Sequence, residues 1–253
     1  MESDTTPRRM LRIIDLIEES DAPVPAERML AELGFTRSTL YRHLKILTES
    51  GFVSSLSESG FTLGPRIVEL DYKIRSRDPL LAAARPLMIE LAQSERGVAL
   101  LCRRYQDRVL CIHQERGDVP FRSNYTRGLP RPLFRGAASR IILAYLKPAQ
   151  VARLQAEHEE DFEEAELGRD AAEVRASLRR LRRQGWDMTR GQVTAGVVGI
   201  AAPLFDGRGD ILGSLSLTLQ NRDRSDAEIQ RLIDRILFSA AIIRNAIDPK
   251  TDI

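Results

Sequence analysis

The sequence predicts an α+β protein in two parts, a small helical head and a larger domain of helices on an antiparallel sheet. Three observations predict it. Within the first 65 of 253 residues lie three short helical stripes, then two apolar runs around a Gly-containing turn. From Pro79 onward, helical stripes alternate with strand-like runs joined mostly by hairpin turns, the order expected of an antiparallel α+β domain. Composition agrees: 43% hydrophobic and 29% charged residues make a globular mixture, on a chain long enough to bury a substantial core.

The head is read as follows. Met10, Ile13, Ile14 and Ile17 recur at helical spacing between Pro7 and Ser20, and Asp21-Ala-Pro-Val-Pro25 breaks that helix. Pro25 is a favoured first helical residue, and Ala26, Met29, Leu30 and Leu33 mark the buried face of a second helix. Gly34 is placed to end it in a left-handed turn, and Thr36 to cap the next. That third helix, Arg37 to about Ser50, buries Leu40, Leu44 and Leu47 and stops at Gly51. Phe52–Leu56 and Phe61–Leu63 flank Ser57-Glu-Ser-Gly60 as a β-hairpin. Arg66 to Asp78 reads as a linker helix, with Ile67, Leu70 and Ile74 on one side. The predicted domains are therefore 1–65, the linker 66–78, and 79–253.

In the larger domain a helix carries Leu80, Leu81, Ala84, Leu87, Met88 and Leu91. Strands are expected at Val98–Cys102, Val109–His113 and Phe121–Tyr125, then a Gly/Pro-rich loop from Arg127 to Pro132. Helices are expected at Gly136–Leu146, Pro148–Glu157 and Asp170–Gln184, and strands at Gly199–Phe205 and Ile211–Leu219 around the turn Asp206–Asp210. A last helix runs from Ser225, its cap, to Ala246. No repeat of 20–50 residues is present.

Composition excludes several function classes. The longest largely apolar run, Val193 to Phe205, has 13 residues, short of the roughly 20 that a membrane span needs. The N-terminus has no apolar core of a secretory signal, so a cytoplasmic location is expected. Two cysteines, Cys102 and Cys111, make neither a disulfide framework nor a four-ligand zinc site, and no metal or cofactor is expected. The net charge of +2 says nothing about partners, and the dominance of Arg over four lysines reads as a compositional bias.

Helix, Gly-containing turn, helix and hairpin together form a winged helix-turn-helix, whose second helix fits the DNA major groove. The third helix suits that role. Opposite its buried stripe lie Ser38, Tyr41, Arg42 and Lys45, at spacing i, i+3, i+4, i+7. Thr36, Arg37, Ser38, Thr39 and Tyr41 sit where base or phosphate contacts fall, and Arg42 and Lys45 suit phosphates. A three-helix protein-interaction module with a solvated face is the alternative.

A second constellation lies in the larger domain. Arg135-Gly-Ala-Ala-Ser139 opens a helix, leaving the N–H groups of Gly136 and Ala137 approachable to an anion, while Ser216 and Thr218 alternate on one strand face and offer hydroxyls. The alternative is a tight helix–sheet contact. Catalysis has no comparable support. Cys111 and His113 share a strand face but read as core, and no GxSxG, Walker loop or HExxH is present. An enzyme recruited by a winged helix is thus a distant alternative, and the chain is expected not to be an enzyme.

These segments resemble the IclR (isocitrate lyase regulator) family of bacterial transcription factors. LGFTRSTLYRHLKILTESGFV is similar to the family's recognition region, and FTLGPRIVEL to the segment leaving its wing. LPRPLFRGAASRIILAYL resembles the loop and helix beside the effector site. RRLRRQGWDMTRGQVTAGVVGIAAPLFDGRGDILGSLSLTL resembles the family's late hallmark, including Gly185, Gly196 and Ile200–Pro203. The resemblance implies a linker helix joining the winged helix to a GAF/PAS-like effector domain, and homodimers or homotetramers that bind a palindromic operator of double-stranded DNA to repress or activate a catabolic operon. The effector region departs from the family pattern. Thr189 stands where an acidic residue is frequent, Gln192 where Glu is frequent, and Gly199 where several members have Cys. With Arg135 and Arg190 nearby, these departures imply a small organic anion as effector, and the room at Gly199 admits an aromatic acid.

Overall fold

The computed structural model describes residues 5–57, 59–119, 121 and 123–247. The chain divides into two compact units, 1–78 and 79–253.

In the first unit, α1 (Thr6–Glu18), α2 (Ala26–Leu33) and α3 (Arg37–Glu49) precede the hairpin β1 (Val53–Leu56) and β2 (Gly60–Leu63). Their apolar stripes meet in one core of Ile13, Leu16, Ile17, Val24, Met29, Leu40, Leu44, Leu47 and Val53. Burying each large aliphatic side chain contributes about 1.5–3 kcal/mol relative to leaving it in water. Gly34 ends α2 in the left-handed region, at φ 67°, where its backbone N–H reaches Leu30 O. The wing pairs Val53 with Leu63 and Leu56 with Gly60. Val24 adds a short bridge to it, exchanging backbone hydrogen bonds of 2.8 and 2.9 Å with Phe61. That approach requires glycine at position 60, because a Cβ there would stand 2.5 Å from Val24 O. The last element of this unit, α4 (Arg66–Arg77), buries no residue. Ile67 and Leu70 are half-buried, whereas Ile74 is 67% exposed and Val68 and Tyr72 are comparably open.

The second unit is a six-stranded antiparallel sheet in the order β5-β4-β3-β8-β7-β6. Its strands are β3 (Val98–Tyr105), β4 (Arg108–Arg116), β5 (Pro130–Pro132), β6 (Asp187–Arg190), β7 (Val197–Phe205) and β8 (Ile211–Gln220). Alternation along β3 divides the core. Ala99 and Leu101 face α5 (Pro79–Ser94) and α10 (Asp226–Ile247), while Val98, Leu100 and Cys102 face α6 (Ala137–Leu143), α7 (Pro148–Glu157), α8 (Glu159–Glu164) and α9 (Ala171–Gln184).

Two strands differ from expectation. Within the expected strand Phe121–Tyr125, the described residues 121 and 123–125 are not in a strand. Pro120 and Arg122 lie outside the described residues, and Tyr125 turns its ring into the core instead. The strand comes later, as β5, inside the stretch read as a loop. Its two prolines cannot donate to a ladder, and β5 sits at the sheet edge, where that is tolerated. The other edge strand, β6, is absent from the sequence reading, because Asp187-Met-Thr-Arg190 has no run of apolar residues to mark it.

Candidate nucleic-acid interface and effector site

α3 is amphipathic, as its spacing predicts. Leu40, Leu44 and Leu47 are buried, while Arg37, Ser38, Tyr41, Arg42 and Lys45 are exposed, Tyr41 at 46%. Lys45 is 3.8 Å from Glu49, a loose surface pair that leaves its ammonium open to solvent. Three of the expected contact residues, Thr36, Ser38 and Thr39, are engaged locally, with Ser38 Oγ 3.3 Å from Thr36 Oγ1. Thr36 caps the helix, its Oγ1 accepting from Thr39 N–H at 3.3 Å and lying 2.9 Å from Thr39 Oγ1. Thr39 is half-buried. The hydroxyls of Thr36 and Thr39 therefore shape the helix start, and the outward side chains are Arg37, Ser38, Tyr41, Arg42 and Lys45.

Sequence periodicity missed His43. It lies on the inner face, 1% exposed, edge-on to Phe35 at a centroid distance of 6.0 Å. Neither ring nitrogen has a hydrogen-bond partner among the described residues. Burial, then the charges of Arg42 and Arg9, lower its pKa from the ordinary 6.5, which favours the neutral ring.

In the second unit, Gly136, Ala137, Thr189, Gln192, Gly199, Ser216 and Thr218 converge on one cavity with Tyr125 and Val193. α6 approaches β6 and β7 there because its first turn is built of small residues. Gly136 has φ 84°, and a Cβ on it would stand 2.6 Å from Tyr125 Oη and 2.7 Å from Val193 Cγ2. Burial pushes the Tyr125 hydroxyl well above its ordinary pKa, so it stays protonated, 3.5 Å from Ser139 Oγ.

Three expectations about this site are corrected. First, the N–H groups of Gly136 and Ala137 are not open to a ligand. Gly136 N–H donates to Gln192 Oε1 at 3.0 Å, and Ala137 N–H donates to Thr189 Oγ1 at 3.1 Å. The two side chains at the departing positions cap the helix themselves, which satisfies donors that burial would otherwise penalise. Second, the cavity measures about 20 Å³, room for a water and not for an aromatic acid. A Cβ on Gly199 would meet Ala137 Cβ at 3.8 Å and Thr189 Oγ1 at 3.9 Å, so the space there fits one small group. Third, Arg135 and Arg190 do not line this cavity. They belong to a neighbouring polar cavity of about 670 Å³ that also contains Arg140, Arg180 and Asp187 and shares Thr189 and Gln192. Arg135 Nε donates to Gln192 O at 2.8 Å, and Arg190 is exposed.

Sequence reading also missed the buried ion pair that lines the larger cavity. Arg140 Nε lies 2.9 Å from Asp187 Oδ2, with both side chains 4% exposed. Arg140 Nη1 donates to Ala165 O at 2.7 Å, and Gln192 Nε2 reaches the same carbonyl at 3.2 Å. Burial raises the Asp187 pKa above the ordinary 3.8, against the pull of the Arg140 charge. Among the described residues no cluster of three or more His, Cys, Asp or Glu side chains could hold a metal ion, and no helix is long and apolar enough to cross a membrane.

Comparison with known proteins agrees with this architecture. Residues 73–245 match the family described as bacterial transcriptional regulator IclR C-terminal, and residues 3–55 match a helix-turn-helix domain. The chain is 27% identical to the HTH-type transcriptional regulator BhcR of Paracoccus denitrificans over 246 residues, 96% of this chain and 88% of that one. Among solved structures, an IclR transcriptional regulator from Alicyclobacillus acidocaldarius has a TM-score of 0.77 at 21% identity, covering 96% of this chain and 98% of that one. An IclR homologue from Microbacterium hydrocarbonoxydans, complexed with 4-hydroxybenzoate, has a TM-score of 0.76 at 17% identity, covering 96% and 99%.

Proposed function

The chain belongs to the IclR family of bacterial transcriptional regulators, and we propose that it binds a palindromic operator as a homodimer or homotetramer in the cytoplasm, through the outward face of α3. The observation that carries the reading is the exposure of Arg37, Ser38, Tyr41, Arg42 and Lys45 on one side of a helix whose other side is core. Arg37, Ser38 and Tyr41 face base edges near the helix start, and Arg42 and Lys45 hold phosphates. Two-fold assembly lets two half-sites add their binding energies, and the open apolar side chains Val68, Tyr72 and Ile74 of α4 suit a contact between copies. The first unit serves DNA, and the second serves effector binding and oligomerisation. The chain acts as a regulator of a catabolic operon rather than as an enzyme.

The effector is a small organic anion, as the 4-hydroxybenzoate complex of the Microbacterium homologue supports, and any such ligand must open the cavity of about 20 Å³ as it binds. It enters between α6 and β8 by displacing Gln192 and Thr189 from the N–H groups of Gly136 and Ala137, and Ser216 and Thr218 add hydroxyl hydrogen bonds. Arg135 and Arg190, in the adjoining polar cavity, attract it electrostatically.

Gel shifts with DNA flanking the gene test the first part. An Arg37/Tyr41/Arg42 triple alanine variant should lose operator affinity, and retained affinity would overturn the assignment. A strictly monomeric species at micromolar concentration, with and without DNA, contradicts the assembly. Thermal shift with aromatic and aliphatic acids tests the second part. An acid that stabilises the wild type should stabilise Ser216→Ala/Thr218→Val less. An equal shift in both proteins would place the ligand elsewhere.

A further inference from the structure

The two cysteines of the chain take no part in either site, yet the fold sets them against each other. Cys102 on β3 pairs with Cys111 on β4, and both side chains join the core beneath α6. Facing residues of an antiparallel pair have Cα atoms about 4.5–5.5 Å apart, inside the roughly 4.4–6.8 Å that a disulfide spans. Both thiols are buried on the same side of the sheet, and Cys111 Sγ donates to His113 O at 3.2 Å.

The pair sits at an irregularity. Register runs from Leu101↔His113 directly to Cys102↔Cys111, leaving Ile112 without a partner strand residue. The carbonyls at this bulge hold the loop that carries Tyr125. Gly128 N–H donates to Cys111 O at 3.0 Å, and Arg127 Nε donates to Ile112 O at 3.0 Å. A bond between the sulfurs would draw β3 and β4 together at the point from which that loop hangs.

We propose that Cys102 and Cys111 are a redox pair, closed to a disulfide by a small peroxide, and that closure loosens the loop holding Tyr125 over the α6 cavity. The Cys111 thiolate attacks one peroxide oxygen, forming a sulfenic acid and releasing hydroxide, which takes up the proton Cys111 has lost. The Cys102 sulfur then displaces the sulfenic hydroxyl as water. Two thiols and one peroxide thus give one disulfide and two waters. The roles follow from the environment. The neighbouring Cys102 thiol holds the Cys111 thiol below its ordinary pKa against the effect of burial, with the Arg127 charge assisting, while the Cys111 thiol and burial push Cys102 up. Both thiols are 1% exposed or less, so the oxidant must be small: hydrogen peroxide meets that requirement and glutathione disulfide does not.

The experiment needs no DNA or effector and stands apart from the regulatory reading. The reduced full-length protein is treated with hydrogen peroxide or with glutathione disulfide, then unfolded and alkylated. Peroxide should lower the intact mass by about 2 Da, protect both thiols and yield a 102–111 cross-linked peptide, all reversed by dithiothreitol. Amide exchange across residues 123–129 should rise severalfold in the oxidised protein. In Cys102→Ser, dimedone should trap a sulfenic acid at Cys111. If that variant fails to fold, the wild-type mass decides. Two alkylatable thiols after peroxide, overoxidation without cross-linking, an intermolecular bond or equally fast glutathionylation would each overturn the redox pair. Unchanged exchange in the loop would overturn its coupling to the cavity.

Discussion

The two units handle polar groups in opposite ways. The first turns its charged and hydroxyl side chains outward along α3 and buries a single imidazole without a partner among the described residues. The second turns polar groups inward and pairs them there: Arg140 with Asp187 as an ion pair at 2.9 Å, and by hydrogen bonds Gly136 with Gln192, Ala137 with Thr189, and Ser214 Oγ donating to Ala138 O at 2.8 Å. An outward face can lose side chains with little effect on folding. An inward network couples the site to stability, so a ligand that enters it must exchange one set of hydrogen bonds for another.

The largest effect that would test this contrast comes from the buried ion pair. Asp187→Ala leaves the Arg140 guanidinium buried beside a lost partner, and should destabilise the second unit by about 3–5 kcal/mol. Urea unfolding of the full chain, with the lone Trp186 of the second unit as reporter, measures it. A change below about 1 kcal/mol would mean that the pair is replaceable by water, and the inward network is then not what holds the site.

The next effect separates binding from stability in the first unit. Arg37→Ala should weaken operator binding by about 1–3 kcal/mol while changing stability by less than about 0.5 kcal/mol. Lys45→Ala should weaken operator and random DNA alike and shallow the salt dependence. A large loss of folding stability in Arg37→Ala would break the view of α3 as a freely decorated surface. Thr36→Ala sharpens the boundary of that surface. Its hydroxyl caps the helix, so the variant should lose about 1 kcal/mol of stability in unfolding experiments.

The same contrast explains what was legible in the sequence. Helical spacing alone placed Leu40, Leu44 and Leu47 inside and Tyr41, Arg42 and Lys45 outside, because one helix face decides both. Gly34 and Thr36 announced their turn and cap by residue type. The inward site was legible only as a set of neighbours. Gly136, Ala137, Ser216 and Thr218 do meet, but which groups hydrogen-bond depends on Thr189 and Gln192, 52 and 56 positions along the chain from the N–H groups of Ala137 and Gly136 that they accept from. β6 escaped because an edge strand of polar residues carries no hydrophobic period. Phe121–Tyr125 misled because an aromatic-rich segment reads as strand even when its two rings, Tyr125 buried and Phe121 half-buried, pack on the core from a loop.

The smallest effect concerns His43, the one buried polar side chain that the first unit leaves without a partner among the described residues. Its folded pKa lies below the ordinary 6.5 because burial and the charges of Arg42 and Arg9 disfavour the imidazolium. The unfolded chain therefore binds this proton more readily, and stability of the first unit must fall as pH drops through about 6.5. Ordinary carboxylates titrate nearer pH 4 and ordinary histidines near 6.5, so the window from pH 7.5 to 5.5 centres on histidine. His113 and His158 both lie in the second unit, so amide exchange within α3 of the full chain reports on His43. Protection of α3 should decline across that window in the wild type and hold steady in His43→Leu, which fills similar space without a titrating group. A decline of equal size in both proteins would show that the imidazole gains a proton without cost, and that the first unit satisfies its buried polar group after all.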